Sequence, residues 1–386
     1  MKKVFSTLAA AVLIVTGLVA CSNDKEGTIP ETPNNNSEMT SVTKVGMVTD
    51  SGTIDDKSFN QGTWEGILRY AEDTGAIEYK YIQPNGETTE DYMSAIDNLV
   101  LAGNEIIVSP GYKFEETIGQ AQIQYPDVKF ILIDGTPIVG EDEDGNPIYE
   151  VAENTVSVFF TEHEAGFLAG IASALQSETG KVGFLGGMKV PAVEKLGWGF
   201  LAGIAYANNN LGTSTEIIEY IYQGTFTDVV SGKTIAGGMY DKGVDIIFAA
   251  GGAVGSGAIS GAKERKESGE SVYIAGVDVD QYNEGITSDG SSIILTSAMK
   301  RIDNAAYDHI DLALKNEFKG GEIILMNAKS NGVGLPIENP NLTPETIKVI
   351  EEIFTLIQDD NITVPSTVDE VSDYLDEMEL KVAFEY

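Results

Sequence analysis

Residues 44–75 read KVGMVTDSGTIDDKSFNQGTWEGILRYAEDTG. A short apolar run ends in Thr49-Asp50, a polar loop follows, and a helix-forming stretch runs from Phe59 to Gly75. The same alternation continues along the chain. NEIIVSPG (104–111), KFILIDG (129–135), NTVSVFF (154–160), KVGFLGG (181–187), EIIEYIYQ (216–223), VDIIFAAGG (244–252) and VYIAGVDVD (272–280) are apolar runs, most of them separated by helical stretches. Val- and Ile-rich strands with helices between them predict parallel sheets joined by right-handed crossovers. Nearly every run ends in Asp, Gly or Ser, and ligands of parallel α/β sheets sit at those carboxyl ends. There are too many strand–helix units for one ordinary sheet, and no long linker divides them. Two sheets with the chain crossing between them is the economical reading. EDEDGNPIYE (141–150) reads as a hairpin turn before the first crossing. After Gly320 come a strand, a helix near Pro344–Gln358 and an acidic end.

The N-terminal end carries different information. MKKVFSTLAAAVLIVTGLVAC places Lys2 and Lys3 before an apolar run from Leu8 to Ala20. That run falls short of the roughly 20 apolar residues a membrane span needs, but it suits the core of a signal peptide. Leu18-Val19-Ala20-Cys21 resembles a lipobox, which implies acylation of Cys21. Residues 22–43 are polar, nearly free of large apolar side chains, and read as a disordered tether. The expectation is a body held at the extracytoplasmic face of the cell membrane, touching it through the lipid anchor only. Cys21 is the only cysteine, so no internal disulfide can form.

Composition narrows the partners. With 24 basic and 60 acidic residues the net charge is −36. Such a surface repels phosphates, which excludes nucleic acid and disfavours a nucleotide. Two histidines leave little for a metal site, and His163-Glu164 is not HExxH because position 167 is Phe. No GxSxG is present, and no free Cys or His serves a nucleophile. Gly251–Gly257 lacks the third glycine of the dinucleotide fingerprint and the Gly-Lys-Ser/Thr end of a P-loop. Its use is a tight-packed turn or close approach of backbone to a ligand. Asp278 and Asp280 end another strand.

The richest segment is Gly46–Asn60, where a strand enters a loop with three carboxylates, one aromatic and one amide. Ser58 or Asn60 is the expected cap of the next helix. An enzyme reading is also open there: the paired acids Asp55-Asp56 are similar to the calcium-binding motif of nucleoside hydrolases. That motif needs a further Asp where Val48 stands, and its spacing is one residue shorter.

GMVTDSGTIDDKSFNQGTWEGI, ILIDG, EHEAGFLAGIASAL, AAGGAVGSGA, GVDVDQ and TSAMKRID together resemble the basic membrane protein family, the purine-nucleoside-binding lipoproteins of ABC importers. The similarity covers about residues 44–335, in the family's order. It implies a type I periplasmic-binding-protein fold, two α/β lobes with three crossovers and a ligand between them. The first lobe would be 44–158 with 299–325, the second 159–298 with 326–386. Carried over by motif, Phe59 resembles the aromatic that stacks on one purine face, and Phe226 the opposite one, with Trp198 and Phe200 as alternatives. Asp50 and Asp134 match acids near the base; Gly252, Asp278 and Lys300 match ribose contacts. Asp56 and Asn60 lie in the same motif, as ligand contacts or as shapers of the loop. The implied partners are a purine nucleoside (guanosine, inosine or adenosine) and an ABC permease, with the protein a monomer that needs no cofactor, no metal and no catalytic residue. A surface sensor or sugar-binding protein of the same fold is the alternative.

Replacing the lipid-bearing residue tests the anchor. One myristoyl-sized chain gives marginal attachment, while two or more hold firmly. Cys21→Ala should therefore release the protein from membranes or stall its processing, read by fractionation and by the mass of the mature chain. Unchanged fractionation and maturation would remove the lipobox reading.

Overall fold

The computed structural model describes residues 42–50, 52–382 and 384–386. The signal segment, Cys21 and the tether up to Ser41 lie outside the described residues. Residues from Val42 on form one compact unit, and Thr43, assigned above to the tether, is the first residue of a strand.

The first lobe is laid down as β1 (Thr43–Val48), α1 (Phe59–Thr74), β2 (Ile77–Ile82), α2 (Thr89–Leu101), β3 (Ile106–Pro110), α3 (Glu115–Gln124), β4 (Lys129–Ile133), a hairpin of β5 (Ile138–Glu141) and β6 (Pro147–Tyr149), and β7 (Thr155–Phe160). The chain then crosses into the second lobe. There it forms α4 (Glu162–Gln176), β8 (Lys181–Gly186), α5 (Pro191–Asn210), β9 (Glu216–Tyr222), α6 (Val229–Asp241), β10 (Ile246–Ala250), α7 (Ala253–Glu267), β11 (Tyr273–Asp278) and β12 (Ile294–Lys300). It returns to add α8 (Ile302–Leu314) and β13 (Ile323–Met326) to the first lobe. It crosses again for β14 (Val333–Gly334), α9 (Pro344–Gln358) and α10 (Val368–Glu377). The sheet orders are β13-β7-β4-β3-β1-β2 and β14-β12-β11-β10-β8-β9. All pairings within the first sheet are parallel, and in the second only the short β14 runs antiparallel.

Burial follows from this topology. Central strands β3 and β10 are covered by helices on both faces and are buried at every residue, which is why they read as unbroken apolar runs. Edge strand β2 is covered on one side only, and Tyr79 and Tyr81 stay exposed beside Trp64. The hairpin and the helix at Pro344–Gln358 form where the sequence places them. The acidic end does not remain irregular: Thr367 and Glu370 form a reciprocal cap, and Val371 and Leu375, one turn apart, are buried, so α10 packs against α5.

Helix pairs in both lobes meet at backbone distance. A Cβ on Gly166 would lie 2.1 Å from the Leu196 carbonyl, and on Gly203 2.1 Å from that of Phe167, so α4 and α5 touch main chain to main chain. Gly232 and Gly257 do the same for α6 and α7, and Gly66 seats α1 on the Asp303 carbonyl of α8. Arg69 and Arg301 both pair with the Asp303 carboxylate and fix α8 there.

The close approach predicts opposite outcomes for two glycines. Gly203→Ala forces a backbone contact apart and should lower stability by about 1–3 kcal/mol. Gly237→Ala, in α6 with nothing within 4 Å of the added Cβ, should be neutral or stabilise by up to about 1 kcal/mol. Denaturant midpoints measure both; equal effects would show that the α4–α5 contact is loose.

Candidate ligand-binding cleft

The carboxyl ends of the two sheets face each other, and several contacts cross between them. Ser58 Oγ donates to Asp278, Gln281 Nε2 donates to the Lys57 carbonyl at 2.7 Å, Lys57 pairs with Glu284 at 3.4 Å, and Tyr112 Oη lies 3.8 Å from the Met188 sulfur. Every residue that the motifs single out in the body stands at this boundary. Asp50 follows β1 and Phe59 opens α1; Asp134 follows β4; Phe226 lies between β9 and α6; Gly252 precedes α7; Asp278 and Lys300 end β11 and β12.

The first loop is built around Asp56. Its carboxylate accepts from the backbone N–H groups of Ser58, Asn60 and Gln61 at 2.9, 3.0 and 3.1 Å. It is therefore the cap of α1, an anion at the positive end of the helix. Ser58 occupies the N-cap position but makes no capping bond, because its hydroxyl reaches the other lobe. Asn60, the alternative cap, is a brace instead. It is 2% exposed, its Nδ2 donates to Asp50 at 2.7 Å and Asp56 at 2.8 Å, and its Oδ1 accepts from the Asp50 N–H. Asp50 Oδ1 is taken by Asn60 and Gly52. Its Oδ2 turns toward Gly111, which also borders the Phe59 ring. Burial raises the Asp50 carboxyl above its usual range, against the hydrogen bonds from Gly52 and Asn60.

The second group surrounds Lys300, which is 3% exposed. Its ammonium contacts Asp134 and lies 3.0 Å from Glu162. It sits 5.1 Å from the ring centres of both Phe59 and Phe160. Burial alone would depress the amine, yet the carboxylates of Asp134, Glu162 and Asp278 hold it above its ordinary value. Burial pushes Asp278 up to about 6 despite Lys300 and the Ser58 hydroxyl. Asp134 and Asp278 both have left-handed backbone, φ 59 and 65°, a conformation that Asp tolerates better than most residues and that concentrates at functional sites. Asp134 Oδ1 and Glu162 Oε2 are buried and accept no hydrogen bond from the described residues. Glu162 is the member that the sequence reading passed over. It opens EHEAGFLAG, where a helix-start acid is the ordinary interpretation, and only the fold brings it to Lys300.

Phe226 and Gly252 form a third group. Gly252 has φ 54° and lies against the Phe226 main chain, while the Phe226 ring covers Gly187. Gly111 borders Phe59 and Gly187 borders Phe226, and the residues that follow them, Tyr112 and Met188, are the pair touching across the boundary. The two aromatics thus flank one contact from opposite lobes. Of the alternatives, Phe200 is fully buried against Phe248 and is a core residue, whereas Trp198 is half-buried with an indole N–H that finds no partner among the described residues.

The hydrolase arrangement does not form. Val48 is a fully buried strand residue, Asp55 is exposed and holds Thr53, and Asp56 is spent on the helix cap. Burial and the Lys195 charge push His163 down to about 4, so its imidazole is neutral.

A family model described as ABC transporter substrate-binding protein PnrA-like (Bmp) matches residues 43–368. Over 377 residues the chain is 32% identical to a CD4+ T-cell-stimulating antigen of Listeria monocytogenes, covering 95% of this chain and 99% of that one. Over 376 residues it is 29% identical to the ABC transporter nucleoside-binding protein BmpA of Lactococcus lactis subsp. cremoris, with the same two coverages. The solved structure of an ABC transporter system solute-binding protein from Aeropyrum pernix K1 superposes with a TM-score of 0.71 at 24% identity, over 87% of this chain and 97% of that one. The fold is that of type I periplasmic-binding proteins. With nearly all of its two-lobed body matched, the chain belongs to the Bmp family of PnrA-like ABC transporter substrate-binding proteins.

Proposed function

We propose that this protein captures purine nucleosides between its lobes and hands them to an ABC permease, held at the extracytoplasmic face of the membrane by lipid on Cys21. The observation that carries the ligand class is the imbalance at Lys300: one buried ammonium faces three carboxylates, Asp134, Glu162 and Asp278. Such a site lacks the positive charge a phosphate needs and offers acceptors to the O–H groups of a ribose. Phe59 and Asp50 Oδ2 lie beside it, a flat apolar face next to an acceptor for ring N–H groups. Phe226, on the other lobe, supplies the second face. The Lactococcus relative is named for nucleoside binding, which agrees with this chemistry. A plain sugar would use the carboxylates but leave the Asp50 side of the cleft without a ligand group to accept from. Closure of the lobes about the crossing strands buries the ligand.

The stacking pair is tested by truncation. Phe59→Ala and Phe226→Ala should each weaken nucleoside binding by about 1–3 kcal/mol, roughly five- to 150-fold in Kd, with the apo melting temperature nearly unchanged. Trp at either position should restore much of the affinity, and Leu should not. Calorimetry and thermal melting decide: Phe226→Ala with intact affinity and a sharply lower melting temperature would make it a core residue and move the search to Trp198.

Asp278 sets a pH dependence. It is surrounded by Ser58, Lys300, Asp134 and Asp56, and as a carboxylate it accepts from the sugar. Its value of about 6 means that it becomes protonated, and loses that acceptor, as the pH falls from 7 to 5. Nucleoside affinity should drop through this window. Asp278→Asn should bind more weakly at pH 7 with a flatter profile. A wild-type affinity constant from pH 7 to 5 would show that Asp278 does not accept from the ligand.

A further inference from the structure

Glu162 is the first residue of α4, immediately after the chain leaves the first lobe at β7, and it is 2% exposed. A carboxylate at a helix start is favoured by the dipole whether or not it is buried. A surface Glu would meet that need without desolvation. Here the side chain turns inward, where burial raises its carboxyl above the ordinary range and removing an ion from water is costly. Its partner is Lys300, at the end of β12, where the chain makes its second crossing. The 3.0 Å pair therefore joins two neighbouring crossing points. Lys300 has its other carboxylate, Asp134, in the first lobe. Lys195, on α5, stands 3.9 Å from the Glu162 oxygen that Lys300 leaves free.

The two ion pairs join different parts of the fold. Asp134 is carried by the first sheet, whereas Lys300 ends β12 of the second. Glu162 and Lys300 both sit where the chain passes between lobes, so a parting of the lobes about the crossing strands would separate them least. Without Glu162, the long Lys300 stem would follow Asp134 or swing toward solvent.

We propose that Glu162 is a positioning residue for nucleoside capture: it holds the Lys300 ammonium at the sugar end of the open cleft, ready to donate to the ribose when the lobes close. The inference rests on the nucleoside reading above. It assigns Glu162 an effect on the sugar through Lys300, and none on the base.

The test is a double-mutant cycle with two ligands. Kd for inosine and for its free base hypoxanthine is measured by calorimetry on the wild type, Glu162→Gln, Lys300→Met and the double variant, with apo melting recorded for each. Glu162→Gln should weaken inosine roughly tenfold, as expected for a hydrogen bond to a charged group. It should leave hypoxanthine within about twofold and add little in the Lys300→Met background. Glu162→Asp keeps the charge but withdraws it by one methylene, and should show the same pattern if Glu162→Gln does not fold. Equal losses for inosine and hypoxanthine, or an undiminished loss in the Lys300→Met background, would make Glu162 a structural residue and overturn the inference, as would unchanged inosine affinity. A wild-type protein that binds neither compound overturns the nucleoside reading itself, and this assignment with it.

Discussion

The ammonium of Lys300 is the point on which the two halves of this molecule depend. Among the described residues it is the one buried cation at the cleft, and it takes a carboxylate from each lobe, Asp134 from the first and Glu162 from the second. Burying an unpaired lysine is prohibitive, and burying a paired one roughly breaks even. The ion pairs therefore contribute less to stability than to specifying where strand ends from separate sheets must lie. Phe59 and Phe160 close around the same ammonium and help to exclude water from it.

Around this cation the site inverts the usual logic of a binding pocket for charged metabolites. Sites for anions gather positive charge; here three carboxylates, Asp134, Glu162 and Asp278, surround one buried ammonium. Ser58 already shows how the surplus is used, since its hydroxyl donates to Asp278 across the boundary. In the nucleoside reading proposed above, a ribose hydroxyl presents the same donor. The acidic surface, with its net charge of −36, acts in the same direction by repelling phosphorylated compounds before they reach the cleft.

Much of the architecture was legible because parallel sheets impose a simple pattern. Strands covered on both faces must be apolar throughout, as β3 and β10 are, and their ends must carry the residues that face a ligand. Asp50 and Asp278 could be picked out as strand-end residues for that reason, whereas Asp134 and Lys300 came from the resemblance to the family's motifs. Four features were not legible. Capping was assigned to Ser58 or Asn60, whereas Asp56 performs it, because a carboxylate two residues earlier can fold back over three N–H groups and no spacing rule distinguishes the cases. Glu162 was passed over because an acid at a helix start needs no further explanation until its neighbour in space is known. The packing role of the glycines in α4 and α5 went unread. Their four-residue spacing, Gly166 to Gly170 and Gly199 to Gly203, was the available signal for helices packed main chain to main chain. The helix α10 was missed because its apolar positions are few and lie within an acidic segment, so the charge obscured the period.

The left-handed backbone at Asp134 and Asp278 links the fold to the charge of the cleft in another way. Residues that occupy φ near 60° with little strain are glycine, asparagine and aspartate. At these two positions the replacements that the backbone tolerates best are Asn and Gly, and both remove a negative charge from the floor of the cleft. Bulkier residues that disturb the fold are selected against first. Asn and Gly meet a different cost, because each leaves the buried Lys300 ammonium one carboxylate short. One steric and one electrostatic constraint therefore act together to keep aspartate at these two strand ends.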